Sequence, residues 1–338
     1  MTGVINHRNK TKKSITKMGI KNLNRFLMDN CSKNAIKKLH LSKLSGKKIA
    51  VDVSIYIYKF MTDNQLLEKM YLLITMLKHY NIESIFVFDG KAPTEKKDLL
   101  EKRRMEKMEA KKKYYELMDQ LDTTSQTDMD EIRAEMDILK RKFVTVNENI
   151  LNKVKELLDA YGVQYLVSPA EADTFCAYLM HTNQVWACLS DDMDMFLYGG
   201  STRIMRSLSL HNHTVFYYDK PTILFELNMD EKLFTDIMVL SGTDYNLNME
   251  TSLHETIRWV YQYRIYIGKT DEKIDFYGWL NEHTRYIKEY ESLKHIRNMF
   301  QLDNDICELY NNIDINNKKN IDVERLHKIM EREGFIFL

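Results

Sequence analysis

Four short apolar runs along the chain each lead into acid. "KKIAVDVS" carries Ile49 to Val51 into Asp52, and "SIFVFDGKAP" carries Ile85 to Phe88 into Asp89. "VQYLVSPAEAD" carries Val163 to Val167 towards Glu171 and Asp173, and "VWACLSDDMDMFLYGG" carries Val185 to Leu189 into Asp191, Asp192 and Asp194. Each run is β-rich, short and continuous rather than alternating, which predicts strands buried on both faces, as in a parallel sheet. Between them lie helical patterns such as "LLEKMYLLITMLKHY", with Leu66, Met70, Leu73, Ile74 and Leu77 on one face. Strand, helix and strand in repetition predict an α/β fold.

In such a sheet the strands point one way, so residues just past their C-terminal ends gather along one edge, where ligands of open α/β sheets bind. Here that edge gathers acids. From Glu95 to about Leu158 the pattern becomes a long, highly charged helical region, with a polar break at "DTTSQTD". It fits a solvated helical hairpin held by i,i+4 ion pairs, or a mobile insertion over the acidic edge whose cationic first helix faces a polyanion. After Asp194, "TRIMRSLSL" and "HTVFYYD" predict a hairpin with "HNH", His211 to His213, at its turn, and helices follow to the end. Three adjacent residues are not the separated ligand set of an HNH nuclease. No internal repeat or low-complexity segment occurs.

Composition narrows the class. The 338 residues are 44% hydrophobic and 29% charged, with only three prolines and eleven glycines, as in a helix-rich globular protein of one large or two modest domains. No run approaches the roughly eighteen apolar residues of a membrane span, and the basic N-terminus lacks the apolar core of a signal peptide. An intracellular protein is therefore expected. The four cysteines, Cys31, Cys176, Cys188 and Cys307, form no CxxC pair and fit free, mostly buried thiols. A net charge of zero hides an asymmetry: Met1 to Lys48 holds thirteen Lys/Arg against one acid, Asp29, so the remainder is acidic. Such a basic segment is either a solvated tail or an arm for nucleic acid. Richness in Lys, Asn, Ile and Tyr fits an AT-rich genome.

Carboxylates brought close together repel one another and push each other's pKa values up, so unless protonated or paired they need a positive partner. A divalent cation with hard oxygen ligands meets that need, and two ions about 3.5 to 4 Å apart form the clamp used in phosphodiester hydrolysis. Each acid also has a structural reading. Glu171 fits the last position of a capping box in "SPAE", with Ser168 as N-cap and Pro169 at the first helical position, a role compatible with ion binding. Asp191 or Asp192 fits a helix cap, and Asp89 before Gly90 fits a turn. Four successive strand ends carrying acid favour the ion site.

Six motifs in order then carry a resemblance: "MGIKNL" (Met18 to Leu23), "VDVSIYIYKF" (Val51 to Phe60), "VFDGKAP" (Val87 to Pro93), "SPAEAD", "SDDMD" and "SGTDY" (Ser241 to Tyr245). Over about two thirds of the chain the set resembles the flap endonucleases of the XPG family. The resemblance implies a parallel-sheet, PIN-like 5′ nuclease core at 18–245, with a helical arch inserted at about 95–158. A basic extension precedes it at 1–17, and a helical region at 246–338 carries a degenerate helix-two-turn-helix. By motif position Asp52, Asp89, Glu171, Asp173, Asp192, Asp194 and Asp244 match metal-site carboxylates; Asp191 falls outside the set. Lys96 and Arg103, seven and fourteen residues after Asp89, match catalytic cations. That spacing allows one helix face and charge stabilisation on a scissile phosphate, although solvated surface is the plainer reading of the residues alone. Tyr58 matches an aromatic that stacks a base, with core packing as the alternative. Gly19 and Arg104 join it as nucleic-acid contacts. The arch would pass a free 5′ strand, a task that suits its cationic first helix.

The implied function is a Mg²⁺-dependent, structure-specific 5′ nuclease using two ions, with Mn²⁺ as substitute, acting on branched or 5′-ended DNA such as flaps, nicks and gaps. A monomer in the nucleus is expected, or in the cytoplasm for a cytoplasmic DNA virus. Three departures bear on this. Asp173 stands where many eukaryotic members have Glu. "NLNMETSLHETIRWV" has no glycine where a Gly-x-Gly hairpin usually binds duplex phosphates and potassium, which puts duplex anchoring in doubt. Seventeen residues precede Met18, and "MGIKNL" lacks the Ser/Thr of a myristoylation signal. The final "GFIFL" does not resemble a sliding-clamp motif. The rival readings are a 5′ to 3′ exoribonuclease and a non-catalytic scaffold for branched nucleic acid. An aspartyl-nucleophile phosphatase fits poorly, because Val53 and Ser54 follow Asp52 where a DxD pair is needed.

Overall fold

The computed structural model describes residues 20, 22–121, 129–246, 251–270, 272–311, 313–315 and 320–336. Helix α1 (Leu23–Asn30) leads into β1 (Ile36–His40) and β2 (Lys48–Asp52), and α2 (Val53–Thr62) and α3 (Leu66–His79) precede β3 (Glu83–Phe88). Helices α4 (Lys97–Leu121) and α5 (Met129–Lys142) lie against each other, and α6 (Glu148–Ala160) leads to β4 (Gln164–Val167). Helix α7 (Ala172–His181) joins β4 to β5 (Ala187–Leu189), after which β6 (Arg203–Ser209) and β7 (Thr214–Asp219) form the hairpin expected around the histidines. The rest is helical: α8 (Lys220–Glu226), α9 (Glu231–Leu240), α10 (Leu253–Ile267), α11 (Phe276–His283), α12 (Tyr290–Met299), α13 (Asn304–Asn311) and α14 (Val323–Arg332).

All seven strands share one sheet, in the order β1-β7-β6-β5-β2-β3-β4. It is parallel from β6 to β4 and antiparallel where β7 meets β6 and β1. The continuous apolar runs have the cause inferred from them. In β2, Ile49 and Val51 join Phe86, Leu189 and the inner faces of α2, α3, α6 and α14, whereas Ala50 joins Ile85, Cys188 and α7 on the other side. Both faces are covered, so successive residues are buried. The fourth run starts later than expected, since Val185 and Trp186 precede β5.

The charged stretch after Glu95 divides in two. Helices α4 and α5 pair with each other, but α6 belongs to the core, with Val154, Leu157 and Leu158 fully buried. Asn147 starts α6 by accepting the Ile150 N–H at 3.0 Å. The break at 122–128, residues 1–19 (the basic extension, Met18 and Gly19) and residues 247–250 of the glycine-free segment lie outside the described residues. Among the described residues no helix is long and apolar enough to cross a membrane.

The connections reverse at β2. From it the chain moves to β3 and β4 on one side, then returns through α7 to β5 and β6 on the other. The crevice between the C-terminal ends of β2 and β5 is therefore a topological switch point, the usual ligand position in such sheets.

One glycine fixes how β3 hands over to this edge. Gly90 donates its N–H to the Ala170 carbonyl at 2.8 Å. A Cβ there would lie 1.9 Å from the Ser168 oxygen and 3.0 Å from that of Ala170, all backbone. Gly90→Ala is expected to destabilise the protein by about 1–3 kcal/mol. An unchanged midpoint in a urea titration would contradict that tight approach.

Candidate active site

Each acidic residue is positioned by the element it ends. Asp52 closes β2 and caps α2, with Oδ1 accepting the Ser54 N–H at 3.2 Å. Its Oδ2 accepts from Ser190 Oγ at 3.0 Å, and that oxygen in turn accepts the Asp192 N–H at 3.1 Å. Ser190 thus ties the ends of β2 and β5 together across the switch point. Asp89, past β3, accepts the Ala172 N–H at 2.8 Å and so caps α7 from another strand. Asp192 Oδ1 accepts the Asp194 N–H at 2.9 Å, closing a tight turn, and Asp194 Oδ2 accepts the Asp244 N–H at 3.4 Å.

The capping box expected at "SPAE" does not form. Helix α7 begins at Ala172 with Glu171 as N-cap residue, and the Glu171 side chain caps nothing. Ser168 instead donates to the Glu171 carbonyl at 3.0 Å and accepts the Ala170 N–H at 3.2 Å, holding an irregular loop before the helix. Asp89 has taken the capping role, which frees the Glu171 carboxylate to face the edge.

Two cations arrive from the start of the charged region. Lys96 ends a 3₁₀ turn, Thr94–Lys96, and its Nζ lies 2.5 Å from Glu171 Oε1. Arg103, on α4, lies 3.0 Å from Asp244 Oδ2. Both therefore point at the acidic edge rather than at solvent. Tyr58, on α2, is 37% exposed, with Lys107 Nζ 5.3 Å from its ring centroid. That exposure takes the ring out of the core, and burial and the charge of Asp89 raise its pKa while Arg103 opposes them. Arg104 is exposed on α4. Asp191 stands apart, held by Lys59 at 3.7 Å and the Ser207 N–H at 2.6 Å. Sequence reasoning gave no role to Ser190 or Tyr245, although one follows β5 directly and the other ends "SGTDY". Tyr245 donates to Glu171 Oε2 at 2.5 Å.

The electrostatics are those of an acidic site short of positive charge. Burial and the neighbouring charges of Asp89 and Asp192 hold Asp52 well above the usual carboxylate range, against hydrogen bonds from Ser190 and the Ser54 N–H. Asp173 is raised by burial, Asp52 and Asp192, and Asp194 by burial, Asp192 and Asp244. Asp192 is raised too, chiefly by burial. Burial alone would depress the Lys96 ammonium, but Glu171, Asp173 and Asp244 together raise it.

Among the described residues no three acidic, histidine or cysteine side chains close on one point as an ion cage. Lys96 and Arg103 neutralise Glu171 and Asp244, and Asp52, Asp89, Asp192 and Asp194 lean on backbone and serine donors. The donor set nevertheless suits a divalent cation. It is all carboxylate oxygen, the two cations do not balance it, and two buried oxygens, Asp173 Oδ1 and Asp194 Oδ1, have no hydrogen-bond partner.

The fold and this acidic edge define a doubly wound α/β protein with its ligand position at the strand ends. The chain matches the XPG N-terminal domain over residues 18–110 and the XPG I-region over 162–244, more than half of its length between them. It belongs to the XPG family. It is 30% identical over 248 residues to flap endonuclease 1 of Lodderomyces elongisporus, covering 68% of this chain and 61% of that protein. It is 26% identical over 310 residues to a protein of Invertebrate iridescent virus 3 named "Probable RAD2-like endonuclease 076L", covering 73% and 80%. Its fold is like that of the catalytic core of Rad2 in complex with a DNA substrate, with a TM-score of 0.62, 20% identity and coverage of 94% and 96%. The chain spans about three fifths of the flap endonucleases it matches.

A pH prediction follows from the raised carboxylates. A carboxyl whose pKa is higher in the folded than in the unfolded protein favours folding at low pH and loses that contribution as pH rises through its folded value. Asp52, Asp173, Asp192 and Asp194 act in this sense. Asp236, pushed up to about 7 by burial against the pull of Arg297, adds to it. In EDTA the melting temperature should fall between about pH 5 and pH 8, and added Mg²⁺ should raise it more at the upper end. A flat profile, or an equal ion effect at both ends, would contradict this account.

Proposed function

We propose that the protein is a divalent-metal-dependent, structure-specific 5′ nuclease that hydrolyses phosphodiesters in branched or 5′-ended DNA. The observation that carries this reading is that Lys96 and Arg103 pair with Glu171 and Asp244 beside buried Asp52, Asp192 and Asp194, with two buried oxygens, Asp173 Oδ1 and Asp194 Oδ1, unpartnered. Asp52, Asp89, Glu171, Asp173, Asp192, Asp194 and Asp244 would hold Mg²⁺, with Mn²⁺ as substitute. Bound ions supply Lewis-acid charge neutralisation and a water made more acidic. The protein's own groups do the rest. Lys96 and Arg103 carry positive charge to the phosphate, Tyr58 offers a face for the base beside the cleaved bond, and Ser190 keeps Asp52 and Asp192 in register.

On this reading residues 18–245 are the nuclease core, α4 and α5 form the arch, and 246–338 is a helical C-terminal region with a degenerate helix-two-turn-helix, with 1–17 as a basic extension. The names of the relatives support DNA as substrate: flap endonuclease, and a Rad2 core in complex with a DNA substrate.

The test is cleavage of end-labelled flap, nicked, gapped and single-stranded DNA, and of RNA versions, with Mg²⁺, Mn²⁺ or EDTA. Cutting near the flap junction that needs the ion is expected. Asp192→Asn keeps an oxygen for the Asp194 N–H but removes charge, so it should fold normally and cut at least about a hundredfold more slowly. Wild-type turnover by that variant would remove the mechanism. RNA-only cleavage would favour the exoribonuclease, and binding without cutting the scaffold.

A further inference from the structure

Tyr245 touches the proposed machinery at two places. Its hydroxyl donates to Glu171 Oε2 at 2.5 Å while Lys96 Nζ holds Oε1 at 2.5 Å, so the carboxylate is gripped from both ends. The same Lys96 ammonium lies 4.8 Å from the centroid of the Tyr245 ring. Behind the ring is Phe300, edge-on with centroids 5.4 Å apart, itself 1% exposed and thus a fixed support. The preceding residue, Asp244, pairs with Arg103. Two consecutive residues after α9 therefore seat both cations that come from the start of the charged region.

This geometry solves a problem that the Lys96–Glu171 pair creates alone. An ammonium held only by a carboxylate loses its anchor when that carboxylate turns to a divalent ion, and a lysine side chain has many rotamers to escape into. A ring face keeps attracting the ammonium whatever Glu171 does. The hydroxyl uses one lone pair of Oε2 and leaves the other for an ion, while fixing the carboxylate's direction. We propose that Tyr245 is a positioning residue, orienting Glu171 for an ion through its hydroxyl and retaining Lys96 in the site through its ring, an inference that rests on the nuclease reading above.

Two variants separate the halves. Tyr245→Phe keeps the ring and removes the donor; Tyr245→Leu removes both. Calorimetric titration of the full chain with Ca²⁺ alone reads ion binding without turnover. Tyr245→Phe is expected to bind Ca²⁺ about tenfold more weakly than wild type. Single-turnover cleavage at saturating Mg²⁺ reads the ring: Tyr245→Leu should be slower by about tenfold or more, and should slow Lys96→Ala no further. A residue that merely plugs the core beside Phe300 would lower the melting temperature without changing Ca²⁺ affinity in the Phe variant, and its effect would multiply with that of Lys96→Ala. Either result overturns the proposal. Glu171→Gln is the control for the reading beneath it: wild-type Ca²⁺ binding by that variant shows that Glu171 is no ligand and removes both.

Discussion

Like charges gathered at the ends of buried strands repel, and burial takes away the water that would have screened them. The sheet cannot avoid this. With helices on both faces, the C-terminal strand ends are the open edge of its centre, and four neighbouring strands, β5, β2, β3 and β4, deliver acid there. Two responses are visible: carboxyls shifted towards the protonated form, and cations drawn in from outside the sheet. The second shapes the molecule most. Lys96 and Arg103 come from the segment that begins the α4–α5 hairpin, so the hairpin's root is tied to the core by the charge it neutralises.

The acids also serve the fold. Asp52 caps α2, Asp89 caps α7, and Asp192 holds the turn that contains Asp194. A helix N-terminus favours negative charge, so capping lowers the expense of a carboxylate that ligand chemistry needs in the same place. Ser190 extends this economy from one strand to the next, accepting from one acid's backbone while donating to another's side chain. Structural and chemical readings of these residues are therefore not competitors.

Much of this was legible in the sequence, for physical reasons. Continuous apolar runs can be strands only if both faces are covered, and Ile49, Ala50 and Val51 bear that out by facing alternate cores. The convergence of Asp52, Asp89 and Asp192 followed from parallel strands having a common end. What failed was local. "SPAE" obeys the spacing of a capping box, but a more distant carboxylate, Asp89, reached the helix start first, and no neighbouring residue announces that. Helix α6 reads as part of a charged insertion because only its buried stripe, Val154, Leu157 and Leu158, meets the core. Tyr245 had no legible role because its partners, Lys96 and Glu171, lie 149 and 74 residues away.

The outer side of α6 is covered by a helix from far along the chain. Helix α14 packs on α6 and buries Leu326, Ile329 and Met330, and its approach is fixed by the Asp322 N–H, which reaches the Ala160 carbonyl at 2.8 Å. During synthesis the side of α6 that α14 covers stays open until residues 322–335 leave the ribosome. A nascent chain of this protein thus exposes an apolar side of α6 until a segment far downstream arrives to cover it.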